Sequence, residues 1–301
     1  MSNRINGYLP VVCILFLIVG QIAEATVRRV KTDATGTPHD GSSWDQAYTD
    51  LQTAIDDSTD DDEVWVASMS GTPYKPGMAR TSTFTLNSNV AIYGGFVGNE
   101  STRDARDFVN NETILSGDIG TPSLATDNCY HVVTASGVGD RTRLDGFTIR
   151  DGFSAGFGGG TAGVDRSGAG IYISGANSSP RIFNCIIRDN ECTAGNGRGA
   201  GLWAPLSSSA QGTLVLNNCQ FINNKAGTPG GGAFISNMAE TTVTGCRFED
   251  NQSTLETGGD NHGGGMYISG SVTMLVPTPA VTLIDCVFEG NKTARGSGGR
   301  L

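Results

Sequence analysis

Histidine is nearly missing from this chain, with three in 301 residues, and charged side chains make up only 17% and aromatic ones 7%. Chemistry that rests on imidazole therefore has few places to sit: His39 near the front, His131 in a strand-like "YHVV", and His262 in the glycine-rich "GGDNHGGG" (258–265). Basic residues are in the minority, 20 against 30 acidic ones, for a net charge of −10. That balance argues against nucleic acid and anionic membrane surfaces as partners. Glycine is abundant at 43 residues but lacks a strict every-third-residue period, which excludes collagen. Many short strands joined by tight turns would use glycine in this way.

Long apolar runs are also missing, with one exception. Arg4, the apolar "VVCILFLIVG" (11–20) and the small residues "AEA" (23–25) have the order of an export signal. The expectation is a signal peptide over residues 1–25 and a bacterial protein that is secreted, extracellular or held at the cell surface. Nothing after it is apolar for long enough to span a membrane.

What the chain does have is an internal repeat. "NNCQFINN" (217–224) returns as "TGCRFEDN" (244–251) and "IDCVFEGN" (284–291), with a looser copy in "FNCIIRDN" (183–190). Anchored on Cys185, Cys219, Cys246 and Cys286, with Phe147 in the same frame, the copies recur roughly every 30 to 40 residues. Three residues before each anchor stands Leu144, Ile182, Leu216, Val243 or Leu283. One residue before it stands Gly146, Asn184, Asn218, Gly245 or Asp285, types that tolerate a left-handed backbone. Strict alternation would put positions minus three and zero on opposite faces. Both are apolar, so the chain must bend between them. Five residues past the anchor, Gly152, Asn190, Asn224, Asn251 or Asn291 marks a second turn.

Glycine-led strands interleave with these: "GAGIYIS" (168–174), "GAGLWAP" (199–205), "GGGAFIS" (230–236) and "GGGMYIS" (263–269). Strand, bend, strand, turn and glycine-led strand describe one coil of a right-handed parallel β-helix, an all-β solenoid. Like residues of successive coils then stack about 4.8 Å apart. At that spacing the cysteines lie within disulfide reach, and export would permit oxidation. A reduced, buried stack fits better, because side chains in a ladder point the same way. Cys129 and Cys192 fall outside the frame.

Upstream, "SSWDQAYTDLQTAIDDS" (42–58) places Trp44, Tyr48, Leu51 and Ile55 at helical spacing behind serines that can cap. The expected organisation is a cap over residues 26–62, with an amphipathic helix at 42–58 covering the first coil, and a β-helix over 63–301. "GSGGRL" (296–301) reads as the start of another glycine-led strand, with no closing element behind it.

At these residues the chain resembles the repeats of chlamydial polymorphic outer-membrane proteins. The shared marks are Gly231-Gly232-Ala233-Phe234 and Gly264-Gly265-Met266-Tyr267, together with Phe221–Asn224, Phe248–Asn251 and Phe288–Asn291. The likeness covers about residues 144–299 and departs from the pattern at Ile187, where the family has Phe, and in lacking that family's membrane barrel. It implies a β-helix with an adhesin-like role.

Extracellular β-helices also include pectate lyases and polygalacturonases, which need paired carboxylates or a base with cations. Their characteristic strings are not found here as a set. Asp260 and His262 are the one pair suited to acid–base work, against the plainer reading of a solvated loop. Arg150, Arg188 and Arg247 lie near the second strand, but not at one repeat position. No cofactor is implied. Calcium is the one candidate ion, through "DDSTDDDE" (56–63), which lacks the oxygen spacing of a dedicated loop.

If Ile171/Ile173, Leu202/Ala204, Ala233/Ile235 and Met266/Ile268 point inward, Tyr172, Trp203, Phe234 and Tyr267 form an outward aromatic ladder. Such a ladder could stack on a sugar chain or dock a protein, whereas the opposite registration would make the rings core. The reading is a non-catalytic secreted or cell-surface scaffold that binds a polysaccharide or a surface protein. The alternative is an extracellular polysaccharide lyase or glycoside hydrolase.

Overall fold

The bend required before each anchor is present in the backbone. Gly146, Asn184, Asn218, Gly245 and Asp285 all have positive φ, between +49° and +82°. A computed structural model describes residues 25–154, 166–193, 197–205, 212–254, 263–269 and 280–294. In it the repeats wind into a right-handed parallel β-helix whose strands form four parallel sheets.

The first sheet has eight strands, Val27–Val30, Glu63–Ala67, Ala91–Phe96, Arg143–Asp145, Arg181–Phe183, Thr213–Asn217, Glu240–Thr244 and Ala280–Ile284. Beyond the bend, the second runs from Thr113–Ser116 through Phe147–Arg150 and Ile186–Arg188 to Val287–Glu289. The third runs from Phe84–Thr85 through Val133–Ser136, Ile171–Ser174, Leu202–Pro205 and Ala233–Ser236 to Met266–Ser269. Register places like on like: Leu144, Ile182, Leu216, Val243 and Leu283 pair in sequence, and so do Ile149, Ile187, Phe221, Phe248 and Phe288. Phe221, Phe248 and Phe288 stack nearly parallel, with centroids 4.7 and 4.8 Å apart. These residues and the anchor cysteines form one core running along the axis.

The fourth sheet is an addition to the three-strand coil expected above. Its strands, Glu191–Cys192, Lys225–Ala226, Gln252–Ser253 and Lys292–Thr293, have two residues each, too few to show any periodicity.

The second turn also differs in detail from the expectation. Its left-handed residues are Asp151, Asp189, Asn223, Asp250 and Gly290, each one position earlier than the residue singled out above. The asparagines that follow are not turn-makers but an internal ladder. Asn190, Asn224 and Asn251 are fully buried. Each donates Nδ2 to the Oδ1 of the next, through Asn291, at 2.9–3.0 Å, and each backbone N–H donates to the same oxygen at 3.0–3.2 Å. A buried amide inside a solenoid is stable only when its groups are met in this way.

The ladder also lies against the last glycine of each glycine-led strand. A Cβ on Gly201, Gly232 or Gly265 would sit 3.1 Å from the Cγ of Asn224, Asn251 or Asn291. The tighter restraint on Gly201 and Gly232 is the next coil's backbone, whose Gly232 and Gly265 carbonyl oxygens would lie closer still to that Cβ.

The capping helix is shorter than expected, Leu51–Asp56 rather than 42–58. Asp50 caps it, accepting from the Thr53 N–H at 2.7 Å, and Leu51, Ala54 and Ile55 are buried over the first coils. Residues before it cannot be helical because the backbone of Tyr48 pairs with Arg29 and Lys31, extending the first rung at 2.8 and 2.9 Å. Trp44 instead packs on Phe96 and donates its indole N–H to the Glu100 carbonyl. The cap also supplies a rung of its own, Val27–Val30, paired with Glu63–Val66.

All six cysteines among the described residues are free thiols. In the anchor stack, the thiols of Cys219 and Cys286 donate to the carbonyls of Ile182 and Val243 at 3.3 and 3.4 Å. Burial pushes Cys129 and Cys185 up to about 12, and raises Cys192 and Cys219 as well. The thiolate is the reactive form. Cys286 is raised by burial as well, whereas the hydrogen bond with Cys219 lowers Cys246, so reagent access decides: alkylation of the native protein near pH 8 should label Cys286, the half-exposed member, ahead of the five buried thiols, with all six labelled after unfolding; mass spectrometry reads both. Unfolding returns the four raised thiols, Cys129, Cys185, Cys192 and Cys219, to about 8.5. Their contribution to stability is complete below that pH and falls as pH rises from about 8.5 towards 12.

Candidate ligand-binding groove

In the later coils one left-handed residue joins the first sheet to the second. In the coil that contains Ala91–Phe96, residues 97–112 fill that junction before the chain enters Thr113–Ser116. This insertion is pinned by its arginines. Arg103 meets Glu63 at 2.7 Å, and Arg106 donates to the carbonyls of Gly94 and Asp145 and, at 2.7 Å, to Asp145 Oδ1. Asp107 accepts from the backbone N–H groups of Val109 and Asn110 and from the Asn110 side chain, which hold its carboxyl below the usual carboxylate range. The tip is thereby fixed as a wall over the next three coils.

Between wall and coils lies a groove of about 530 Å³. Phe108, Val109 and Glu112 form the wall, and Val109 is exposed to 77%. The floor carries Thr148, Ile186 and Gln220, which are in register on successive coils, beside the bend residues Asn184 and Asn218. Thr148 donates to Glu112 at 2.6 Å, and Asn184 donates to Asp145 at 2.9 Å. The lining holds amides, a hydroxyl, two phenylalanines and one carboxylate, with no lysine or arginine. Gly146, Phe147, Asn184 and Asn218 stood out in the sequence as parts of the repeat, but Phe108, Val109, Glu112, Thr148, Ile186 and Gln220 did not.

Of the two registrations open to the aromatic ladder, the structure has the one with the rings outside the coil's core, yet they are not exposed. Leu202, Ala204, Ala233 and Ile235 belong to the core, and Trp203 and Phe234 face away from it. Yet Trp203 is 9% and Phe234 4% exposed, leaving Tyr172 and Tyr267 half-buried. The rings cover one another: His131 on Tyr172 at 4.7 Å, Tyr172 on Trp203 at 4.9 Å and Phe234 on Tyr267 at 5.2 Å, with the Arg198 guanidinium 5.2 Å over Phe234. Only Phe234 and Tyr267 stack face to face, the other two pairs being tilted by 38° and 46°, and with Trp203 and Phe234 covered the rings offer a sugar no open row of faces.

Asp260 and His262 lie outside the described residues. The acidic run at 56–63 is engaged in the cap rather than converging on an ion. Asp57 accepts from the Tyr48 hydroxyl, Asp60 and Asp61 pair with Arg141, and Asp62 accepts from Thr26 and Thr59 and pairs with Arg28. Among the described residues no group of three or more histidines, cysteines or acids is placed to hold a metal. Arg150 and Arg188 do share one register position, with Arg247 off it, and each arginine is bound to a neighbouring carboxylate: Asp151, Asp189 and Glu249.

Compared with protein families, residues 89–299 match the model described as a right handed beta helix region. Comparison with curated proteins and with solved structures returned no match.

Proposed function

The chain belongs to the right-handed β-helix family, and we propose that it is a non-catalytic secreted or cell-surface scaffold whose lateral groove binds an extended, uncharged polysaccharide. The observation that carries this reading is the groove itself. Its bend amides, Asn184 and Asn218, stand on adjacent coils about 4.8 Å apart, a step comparable to the rise per residue of an extended glycan, and Thr148 and Gln220 add a hydroxyl and an amide on either side of Ile186. Phe108 adds an apolar wall of the kind a sugar ring packs against. Without a lysine or arginine in the lining, an acidic polysaccharide has no counter-charge there. The adhesin-like role rests on the likeness of the repeats to those of polymorphic outer-membrane proteins, and secretion on the export pattern of residues 1–25.

The alternative, a polysaccharide lyase or hydrolase, draws on a different observation: Asp118, Asp151, Asp189 and Glu191 line a second cavity together with Arg150. Against it, three of the four carboxylates accept from neighbouring side chains: Asp151 from Ser116, Asp189 from Arg188 and Asn223, and Glu191 from Thr193.

A glycan array read together with reducing-sugar and unsaturated-product assays tests the proposal. Neutral polysaccharides should bind without turnover, and a Phe108→Ala/Gln220→Ala variant of unchanged Tm should bind about tenfold more weakly, a loss of about 1.4 kcal/mol. Trp203→Ala should lower Tm and leave glycan affinity intact. Product release, or full binding by the groove variant, would overturn the reading.

A further inference from the structure

The second cavity lies on the other side of the second sheet and is built by a different insertion. Residues 117–131, between Thr113–Ser116 and Val133–Ser136, fold over the turns of two coils and enclose about 280 Å³. Asp118 comes from this loop. Asp151 and Asp189 come from left-handed turn positions of adjacent coils, and Glu191 from the start of a fourth-sheet strand. Against these four carboxylates the lining has one cation, Arg150, which is 3.3 Å from Asp151. Arg188 pairs with Asp189 at 2.6 Å, and Arg80 donates to the carbonyls of Asn128 and Phe153.

Two buried oxygens of lining residues, Asp118 Oδ1 and Asn128 Oδ1, have no hydrogen-bond donor, and one buried donor, Arg150 Nε, has no acceptor. Asn128 is 95% covered, at 5% exposure. Its Nδ2 donates to the Asp151 carbonyl at 2.7 Å, which identifies Oδ1 as the acceptor end. Buried acceptors without a donor are uncommon and costly. Here both belong to residues that line a cavity with four carboxylates and one guanidinium.

A bare metal ion does not suit the site, because no three acidic, histidine or cysteine side chains among the described residues converge on one point. The acceptors are instead spread around a volume larger than an ion, with the Phe153 ring in the same lining. We propose that this cavity binds an alkylammonium group. Its N–H donors would meet Asp118 Oδ1, Asn128 Oδ1 and a carboxylate oxygen of Asp151 or Glu191, and its methylene stem would lie against Phe153. A small free polyamine and a lysine side chain of a partner protein carry the same chemistry.

Isothermal titration of the full chain at low ionic strength tests this with n-butylammonium, spermidine, a lysine-containing peptide amide, tetramethylammonium and Ca²⁺. The expected result is saturable binding of one n-butylammonium per chain, with no competition from tetramethylammonium, which has no N–H to donate. Asp118→Asn and Glu191→Gln, both with Tm near that of the parent, should each weaken it about tenfold, the share of one charge-assisted hydrogen bond. Tighter binding of spermidine than of the peptide assigns the site to free polyamines, and the reverse order assigns it to protein lysines. Absence of saturable n-butylammonium binding, equal binding by both variants, or displacement of the amine by more tightly bound Ca²⁺ would overturn the proposal.

Discussion

Replacing Asn224 by leucine, the nearest apolar shape, should lower stability by about 4 kcal/mol. Asn224 sits in the middle of the buried ladder and serves both neighbours. Its Oδ1 accepts the backbone N–H and the Nδ2 of Asn190 at 3.2 and 3.0 Å. Its own Nδ2 donates to the Ile187 carbonyl at 2.8 Å and to Asn251 at 2.9 Å. Leucine strips the Asn190 N–H of its acceptor inside a wall that water does not reach. A buried donor or acceptor without a partner costs about 1–3 kcal/mol, and more than one group is affected. Against a total stability of about 5–15 kcal/mol, one such substitution brings the solenoid close to unfolding at room temperature. Asn291→Leu provides the internal comparison. It ends the described ladder and is only half-buried, so it should cost less than half as much. Urea denaturation of the two variants reads the difference, and equal losses would show that burial of the ladder is not what makes it strong.

Asp145→Ala should cost about 3–5 kcal/mol, by a different route. The Asp145 carboxylate is completely buried between two guanidinium groups and an amide: Arg106 at 2.7 Å, Arg143 at 2.8 Å and Asn184 at 2.9 Å. Arg143 lies 3.9 Å over the Phe183 ring, and Arg106 lies 5.0 Å over Tyr93. Removing the carboxylate leaves two like charges close together with no anion between them, and the unpaired charge dominates the loss. Because Arg106 also ties down the wall of the groove, the consequence should extend beyond stability. Tryptic cleavage at Arg103 and Arg106 should accelerate, and neutral-glycan binding should fall in parallel. Arg106→Met separates the two effects. It frees the loop while leaving Asp145 paired with Arg143, so glycan binding should fall with a smaller stability loss than in Asp145→Ala.

The repeat, the bends and the inward residues are legible in the sequence because each depends on local chemistry that recurs in every coil. A left-handed backbone selects Gly, Asn or Asp, and Gly146, Asn184, Asn218, Gly245 and Asp285 all take that conformation. Apolar residues on both sides of that bend require a closed coil, and stacking then sets the register of Phe221, Phe248 and Phe288 without further information. The role of Asn190, Asn224, Asn251 and Asn291 was half legible. Their place at a turn follows from residue type, but an asparagine at a turn and one buried beside it look alike until the neighbouring coil supplies the partner.

Tertiary structure alone decided the rest, because the rest is not periodic. Whether Tyr48 is helical depends on the strand Val27–Val30, which claims its backbone. Whether Trp203 and Phe234 are exposed depends on what covers them outside the coil, which alternation along a strand does not encode. Both cavities arise where an insertion, residues 97–112 or 117–131, folds over turns that belong to later coils. Phe108 and Gln220, or Asp118 and Glu191, become neighbours only through that folding over. A repeating sequence thus determines its own scaffold coil by coil, through contacts at one fixed spacing, while its binding surfaces come from the segments that break the repeat.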